Sequence, residues 1–250
     1  LEIAVTKGKC SRENADNSLG LLSSTPDRST LVADFIIEAV NLSKSIQKPV
    51  KLIWTREDDT QFGPYRPPTF SAMKGAISED GKLVALQHKV ISPTIMSFLD
   101  PNHDKTKVDR NMTEGISHQQ YEIPNMKNMF VYSDIHVPIF WWRSVTSSTL
   151  AFSHECFIDE LAHAAGKDPL AFRLEMLTKE SDTKRLLLKL KEVSKWEKSL
   201  PKGKGRGIAQ WEFFAGLGGH VVEVTKLSNK AVKIDKVYVD VKQSISEYER

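Results

Sequence analysis

Cysteine, long apolar runs and an excess of one charge are all scarce in this sequence. Only Cys10 and Cys156 occur among its 250 residues, which excludes a cysteine-rich zinc site or an iron–sulfur cluster held by this chain alone. A single disulfide between these two cysteines is compatible with the sequence. No run of about 18 apolar residues occurs, so no segment is predicted to span a bilayer. The 35 Lys and Arg against 32 Asp and Glu leave a formal charge of +3, which is too balanced to indicate nucleic acid or an anionic membrane as the main partner.

The composition is otherwise that of an ordinary globular protein. Hydrophobic residues make up 40% and charged residues 27% of the chain, close to the average for folded domains. This length suits one large domain or two small lobes, and it can bury a core without a disulfide or a metal. The chain starts at Leu1 without Met or a signal peptide, so we expect a processed or shortened product.

The first part of the chain contains strand patterns, a long loop and one helix pattern. The predicted elements are a strand over 1–6, a Ser- and Asn-rich loop over 7–30, a helix from Ser29 or Thr30 to about Ile46, and a strand over 49–55. Residues 69–78 and 83–92 are predicted to form a hairpin, because Asp80-Gly81 between them supplies the positive φ that a tight turn needs.

The second part becomes helical and ends in strands. The predicted elements are a loop with one or two helical turns over 93–127, a strand over 129–135, helices over 147–165, 169–177 and 181–196, and strands over 208–214, 219–226 and 231–241 with Asn229 in the last turn. Ser147 or Ser148 caps the first of these helices, and Asp168 with Pro169 starts the next. The predicted fold class is therefore α+β, with two lobes in which mixed and antiparallel sheets pack against helices.

The familiar motifs of several enzyme classes are missing. The sequence has no Gly-x-Ser-x-Gly elbow, no Walker loop and no Gly-x-Gly-x-x-Gly turn. Its histidines stand at 88, 103, 118, 136, 154, 163 and 220, with no His-Glu-x-x-His frame. We interpret them as surface or hydrogen-bonded histidines and predict no metal site.

Three segments carry unusual side chains, and each has two interpretations. Glu57-Asp58-Asp59 could be catalytic carboxylates, but acidic caps of a short helix are preferred. The basic stretch Lys184–Arg206 indicates a solvated helix surface, with partner docking as the alternative. The segment Pro138–Val145, with two adjacent Trp and an Arg before a helix, could be an anion site or a hydrophobic staple with core aromatics.

Five ordered blocks between about residues 31 and 241 share a family pattern. They are Pro49–Asp59 (PVKLIWTREDD), Trp142–Val145 (WRSV), Phe157–Ala162 (FIDELA), Gly166–Arg173 (GKDPLAFR) and Gly203–Ala209 (GKGRGIA). Together they resemble the molybdenum hydroxylase large subunit of the xanthine dehydrogenase and aldehyde oxidase family, in the branch of the isoquinoline 1-oxidoreductase beta subunit.

This resemblance implies a molybdopterin cofactor, in its cytosine dinucleotide form, that hydroxylates aldehydes or N-heterocycles with oxygen from water. It also implies electron transfer to a small 2Fe-2S subunit and a cytochrome acceptor, and a periplasmic location. By the same resemblance, residues 1–200 would be a first cofactor-binding lobe and residues 201–250 the start of a second. No nucleic-acid partner is expected.

The resemblance also assigns the site. In the family, the segment before the helix contacts the molybdenum ligands through main-chain amides and lines the pocket. Carried onto this chain, Trp142, Arg143 and Ser144 are the cofactor-binding candidates, and Val145 is the candidate on the substrate pocket.

Two parts of the family pattern are missing. Ser23–Thr30 stands where the family has a Gly-Gly-Gly-Phe-Gly loop, and the late Gly-x-Gly-Glu motif with the general base does not occur. We therefore expect a fragment or reduced relative that is inactive alone, with its catalytic glutamate outside this chain. The alternative is a non-catalytic binding or assembly module that kept the fold and lost the site.

Overall fold

The computed structural model describes residues 39–53, 55–100, 102–214, 216–228 and 231–243. They belong to two compact units. Of these described residues, the smaller unit includes those up to Arg66 together with Ile95–Asp104 and His136–Phe140, and the larger unit includes the others. The predictions for 1–6, for 7–30, for the helix start near Thr30 and for the turn at Asn229 lie outside the described residues.

In the smaller unit, residues 39–46 are helical, which confirms the described end of the first predicted helix. Two further helices follow, α1 (Arg56–Phe62) and α2 (Ile95–Leu99). The strand predicted over 49–55 is wrong for its described residues, which pair with no described strand. Ile53 is mostly exposed, so this apolar alternation has no sheet to bury it.

The first sheet of the larger unit is made by β1 (Phe70–Ile77), β2 (Leu83–Ser92) and β3 (Asn125–Tyr132). Strands β1 and β2 form the predicted antiparallel hairpin, and Gly81 in its turn has a φ of 76°. Strand β3 pairs with β2 in parallel. It begins four residues before the predicted strand over 129–135, because pairing with β2 recruits polar residues that lack a strand pattern.

Short helical segments connect the end of β2 to β3. After α2 they are α3 (Arg110–Thr113) and a 3₁₀ turn (Ile116–His118), so three short helical segments stand where one or two helical turns were predicted. Asp109 is the N-cap of α3, and its side chain accepts from the amide of Asn111.

Three helices follow at the predicted places, namely α4 (Ser147–Ala164), α5 (Pro169–Glu175) and α6 (Asp182–Ser194). Asp168 caps α5 by accepting from the amide of Ala171, and Ser181 caps α6 by accepting from the amide of Lys184. These side chains satisfy amides that have no acceptor inside the helix.

The second sheet is the predicted antiparallel meander, with strands β4 (Lys204–Phe213), β5 (Gly216–Lys226) and β6 (Val232–Gln243) in that order. The main core of the larger unit joins this sheet to the helices and to β2. It includes Leu86, Ile158, Phe172, Leu187, Ile208 and Val221. The α+β fold class is confirmed, and the division into lobes at residue 200 stays a prediction.

Close packing between the first sheet and α4 explains one glycine. A Cβ at Gly75 would lie 2.6 Å from Leu161 Cδ2, so a larger residue would push α4 away from β1. The sheet therefore fixes the position of α4, and with it the chain segment that enters this helix.

Candidate functional site

The turn over residues 141–146, called here the entry turn, leads into α4 through a strained backbone. Ser144 has a φ of 67° and Val145 a φ of 45°. Both lie in the left-handed region, which is uncommon for residues other than glycine and an outlier for a β-branched side chain. Each such residue costs about 1–3 kcal/mol and persists only where its surroundings enforce it.

The hydrogen bonds of the entry turn leave several amides open. Val145 donates to the Trp142 carbonyl at 2.7 Å, and Ser147 donates to the Ser144 carbonyl at 2.8 Å. Within the described part of the chain, no acceptor lies within hydrogen-bond distance of the amides of Trp142, Arg143 and Ser144. The N-cap residue of α4 is Thr146, which forms no side-chain cap, so the predicted cap at Ser147 or Ser148 is wrong: both residues lie inside the helix. The turn and the helix start therefore present N–H donors to their surroundings.

The side chains of the entry turn divide into an exposed set and a buried one. Trp141 and Trp142 are each 39% exposed, whereas Val145 is only 5% exposed. Arg143 is exposed and forms no ion pair with a described carboxylate. The indoles are thus not core aromatics, and the guanidinium is available to an anion.

The structure brings the predicted residues Trp142, Arg143 and Ser144 into this single turn and places the Val145 side chain beneath it. Open amides at a helix start, next to an unpaired arginine, suit acceptor groups such as phosphate or oxo oxygens. The ligand role of these four residues stays a prediction.

Helix α4 also carries a buried ionic network that the sequence analysis missed. Glu155 accepts from Arg173 Nε at 3.0 Å through Oε2 and from the hydroxyl of Tyr121 at 2.9 Å through Oε1. The amide of Gln210 donates to the same Oε2 at 3.1 Å. Arg173 Nη1 also bonds Asp159 and the Pro169 carbonyl. This network joins α4, α5, β4 and the segment before β3.

Charge balance inside the network follows from burial and proximity. Burial raises the pKa of Glu155, and the guanidinium of Arg173 acts against that change. Burial alone would lower the pKa of Arg173, but the facing Glu155, Tyr121 and Asp159 raise it above its ordinary value. The arginine therefore stays charged and holds a carboxylate that would be costly to bury alone.

Two histidines lie buried beside the network, and one of them, His154, contradicts the prediction that all are surface or hydrogen-bonded. His88 and His154 are fully buried, and their rings stack with centroids 5.9 Å apart. His88 contacts Ser71 Oγ at 2.9 Å through Nε2, but neither nitrogen of His154 has a partner among the described residues. The pleat of β2 and the α4 contact with it bring these side chains inward, which local composition does not reveal.

Burial keeps this histidine pair neutral. It lowers the pKa of His88 to about 4. For His154, burial lowers the pKa to about 3, and the neighbouring His88 and Arg173 contribute to this change. The structure brings together no group of three metal-binding side chains within its described residues, so the pair has no third ligand there.

The other segments singled out by sequence have simpler surroundings. Glu57, Asp58 and Asp59 lie in the first turn of α1, as the cap interpretation requires. In the basic stretch, Lys184, Arg185 and Lys191 pair with carboxylates, which agrees with a solvated surface. Cys156 is exposed on α4, and its pairing with Cys10 lies outside the described residues.

A groove of about 550 Å³ lies on the first sheet, and none of the entry turn lines it. No described helix is both long and apolar enough to cross a lipid bilayer.

Comparison with solved structures first defines the fold. Quinoline 2-oxidoreductase from Pseudomonas putida 86 superposes with a TM-score of 0.54 at 15% sequence identity, over 80% of this chain and 30% of that one. At this identity the similarity concerns the fold alone.

Sequence relatives then give the family. The family model described as the molybdopterin cofactor-binding domain matches residues 33–177, which is more than half of the chain. The protein therefore belongs to the molybdopterin cofactor-binding domain family. A membrane-bound aldehyde dehydrogenase [pyrroloquinoline-quinone] from Gluconacetobacter polyoxogenes is 32% identical over 72% of this chain and 26% of its own length. The isoquinoline 1-oxidoreductase subunit beta from Brevundimonas diminuta is 23% identical over 72% of this chain and 25% of its own length. The chain thus spans about a quarter of the length of these relatives.

Proposed function

We propose that the entry turn forms one wall of a molybdopterin site in an oxidoreductase that hydroxylates aldehydes or N-heterocycles with oxygen from water. The strained backbone at Ser144 and Val145 carries this proposal. Strain of this kind is retained where the surrounding structure enforces it, and it occurs often at sites of function. Here its effect is to leave three consecutive amides without an acceptor among the described residues.

The residues of the turn fit the chemistry of this cofactor. Its phosphate, pterin and oxo oxygens are acceptors, and the open amides of Trp142, Arg143 and Ser144 are donors. The guanidinium of Arg143 would offset the negative charge of a phosphate. The buried side chain of Val145 supports the turn from below and would shape the neighbouring substrate pocket. When bound, the cofactor supplies two-electron oxidation with oxygen derived from water.

The partners and the substrate follow from the relatives and belong to the same proposal. The relatives carry names of aldehyde, isoquinoline and nicotinate oxidation, two of them as subunits. We propose a small 2Fe-2S subunit and a cytochrome as electron acceptors for the full-length protein, and the cytosine dinucleotide form of the cofactor.

The test measures molybdenum in the full-length protein by elemental mass spectrometry, together with aldehyde-dependent reduction of a dye. We expect close to one molybdenum per chain, and a loss of about two- to tenfold in Arg143→Ala, since a solvent-exposed hydrogen-bonded contact is worth about 0.5–1.5 kcal/mol. Arg185→Ala is the matched control, because Arg185 is an exposed arginine on α6 that pairs with Asp182. Protein without molybdenum, or equal metal in both variants, would contradict the proposal. The first outcome would favour a non-catalytic binding or assembly module.

A further inference from the structure

Asn111 connects both ends of the entry turn. Its side-chain oxygen accepts from Trp141 Nε1 at 3.2 Å, before the strained residues. Its backbone carbonyl accepts from Thr146 Oγ1 at 3.0 Å, after them. Thr146 is fully buried, so this second bond is shielded from water. Asn111, which is 30 positions from Trp141 and 35 positions from Thr146, thus holds both the start and the end of the turn.

Asn111 is itself held in place by a buried carboxylate. Its amide and its side-chain Nδ2 both donate to Asp109 Oδ1 at 2.9 Å. Asp109 is 2% exposed, and its other oxygen accepts from the hydroxyl of Thr94. Asp109 also begins α3, whose residues Met112 and Thr113 are buried. The carboxylate therefore connects Asn111 to the interior of the larger unit.

Asp109, Asn111, Trp141 and Thr146, together called here the bracket, account for the strain. A β-branched residue at positive φ relaxes unless its neighbours hold it. The bracket fixes the turn on either side of Ser144 and Val145, and only the short intervening segment can adjust. The turn also contains two internal hydrogen bonds, from Val145 to Trp142 and from Ser147 to Ser144. We expect both bonds to weaken when the bracket is lost and the segment changes its shape.

We propose that Asp109 and Asn111 are positioning residues that hold the entry turn in the shape in which its amides face the cofactor. This inference rests on the proposed function, because the bracket is assigned to the same site. Asp109 and Asn111 act through the turn and are not themselves ligands.

Conservative variants separate positioning from simple stability. Thr146→Val removes the hydroxyl that bonds Asn111 but keeps the side-chain volume, and Thr146→Ser restores the hydroxyl. Trp141→Phe removes the indole N–H and keeps an aromatic ring. Trp196→Phe is its matched control, because Trp196 Nε1 donates to the Asp168 carboxylate at 2.9 Å, away from the entry turn.

The first measurement is hydrogen exchange of the Val145 and Ser147 amides in the full-length protein freed of cofactor. We expect exchange at both amides to accelerate by at least about tenfold in Thr146→Val and Trp141→Phe, because these bonds break when the turn opens locally. Thr146→Ser and Trp196→Phe should exchange like the unmodified protein. Unchanged exchange at Val145 and Ser147 in the first two variants would overturn the bracket.

The second measurement is molybdenum per chain in the same proteins as purified. We expect at least about a fivefold loss in Thr146→Val and recovery in Thr146→Ser, since a misplaced donor set binds its ligand weakly. Accelerated exchange with unchanged molybdenum would overturn the positioning role. Absence of molybdenum from the unmodified protein would instead overturn the proposed function, and exchange alone would then decide whether the bracket holds the turn.

Discussion

The ionic network around Glu155 and the entry turn are both connected to α4, but they differ in how many of their polar groups have hydrogen-bond partners. In the network, each Glu155 oxygen has a donor, and Arg173 uses Nε and both terminal nitrogens. In the entry turn, three consecutive amides face no acceptor among the described residues. The network is buried, whereas Trp142 and Arg143 at the turn are exposed.

This difference separates structural support from a site. A buried polar group must be satisfied, because an unpaired one costs stability. An open group at an exposed, strained position can instead be kept for a ligand, provided that its surroundings are rigid. Helix α4 joins the two regions, so the satisfied network gives rigidity to the element from which the open turn projects.

Among the variants considered below, Arg173→Met is expected to cause the largest loss in the free energy of unfolding. It leaves the Glu155 carboxylate buried without its cation, which typically costs about 3–5 kcal/mol. For a domain of this size that corresponds to roughly 10 °C in the thermal unfolding midpoint, measured by calorimetry on the full-length protein.

Two further variants show whether the loss in Arg173→Met comes from the buried charge. Arg185→Met removes an exposed pair with Asp182 and should cost less than about 1 kcal/mol. Glu155→Gln combined with Arg173→Met should recover part of the loss, because no buried charge remains. Equal small losses in Arg173→Met and Arg185→Met would show that the network does not support α4.

The two buried histidines are expected to make the free energy of unfolding depend on pH, with a smaller effect than that of Arg173→Met. Their folded pKa values, about 4 for His88 and about 3 for His154, lie below the unfolded value of about 6.5. The unfolded chain therefore binds more protons below pH 6.5, and stability that is complete above this pH is lost as the pH falls toward the folded values. Each histidine contributes a slope of up to about 1.4 kcal/mol per pH unit in this window.

The histidine variants test that assignment on one helix. Thermal unfolding between pH 7 and pH 5 should depend less on pH in His154→Gln than in the unmodified protein. His163→Gln is the matched control, because it replaces an exposed histidine of the same helix. A pH profile that is the same for both variants would contradict the assignment to His154.

Ser144→Gly should change the free energy of unfolding least, and it should raise this free energy where the other variants lower it. Glycine adopts the φ of 67° at this position without a steric penalty, although its unfolded chain has more freedom. We expect a gain of at most about 1 kcal/mol in the free energy of unfolding, from a balance of these two terms. Ser148→Gly, in the first turn of α4, should destabilise. A clear loss in Ser144→Gly would contradict the strain assigned to the entry turn.

Sequence patterns predicted the elements that carry their own local signals. The Asp80-Gly81 turn and the Asp168 cap act within a few residues, and the structure has both of them. The strand predicted near Val50 failed because a strand needs a neighbour, and the start of β3 was missed because its pairing with β2 selects residues without β propensity.

The site was predictable only in part. The Trp-Trp-Arg segment before a predicted helix start indicated where to look, but the left-handed φ values of Ser144 and Val145 have no signal in their residue types. The bracket through Asn111 and the pairing of Glu155 with Arg173 join positions 18 to 35 residues apart. Charged residues among apolar ones in α4 and α5 were the only hint, and a single sequence does not identify their partners.

The most direct test of the account is hydrogen exchange at the amides of Trp142, Arg143 and Ser144, compared between full-length protein with and without its molybdenum cofactor. We expect these amides to exchange rapidly without the cofactor and at least about tenfold more slowly with it, while exchange of the Gln210 amide in the Glu155 network does not change. Equal exchange of the three amides in both states would show that the entry turn does not contact the cofactor.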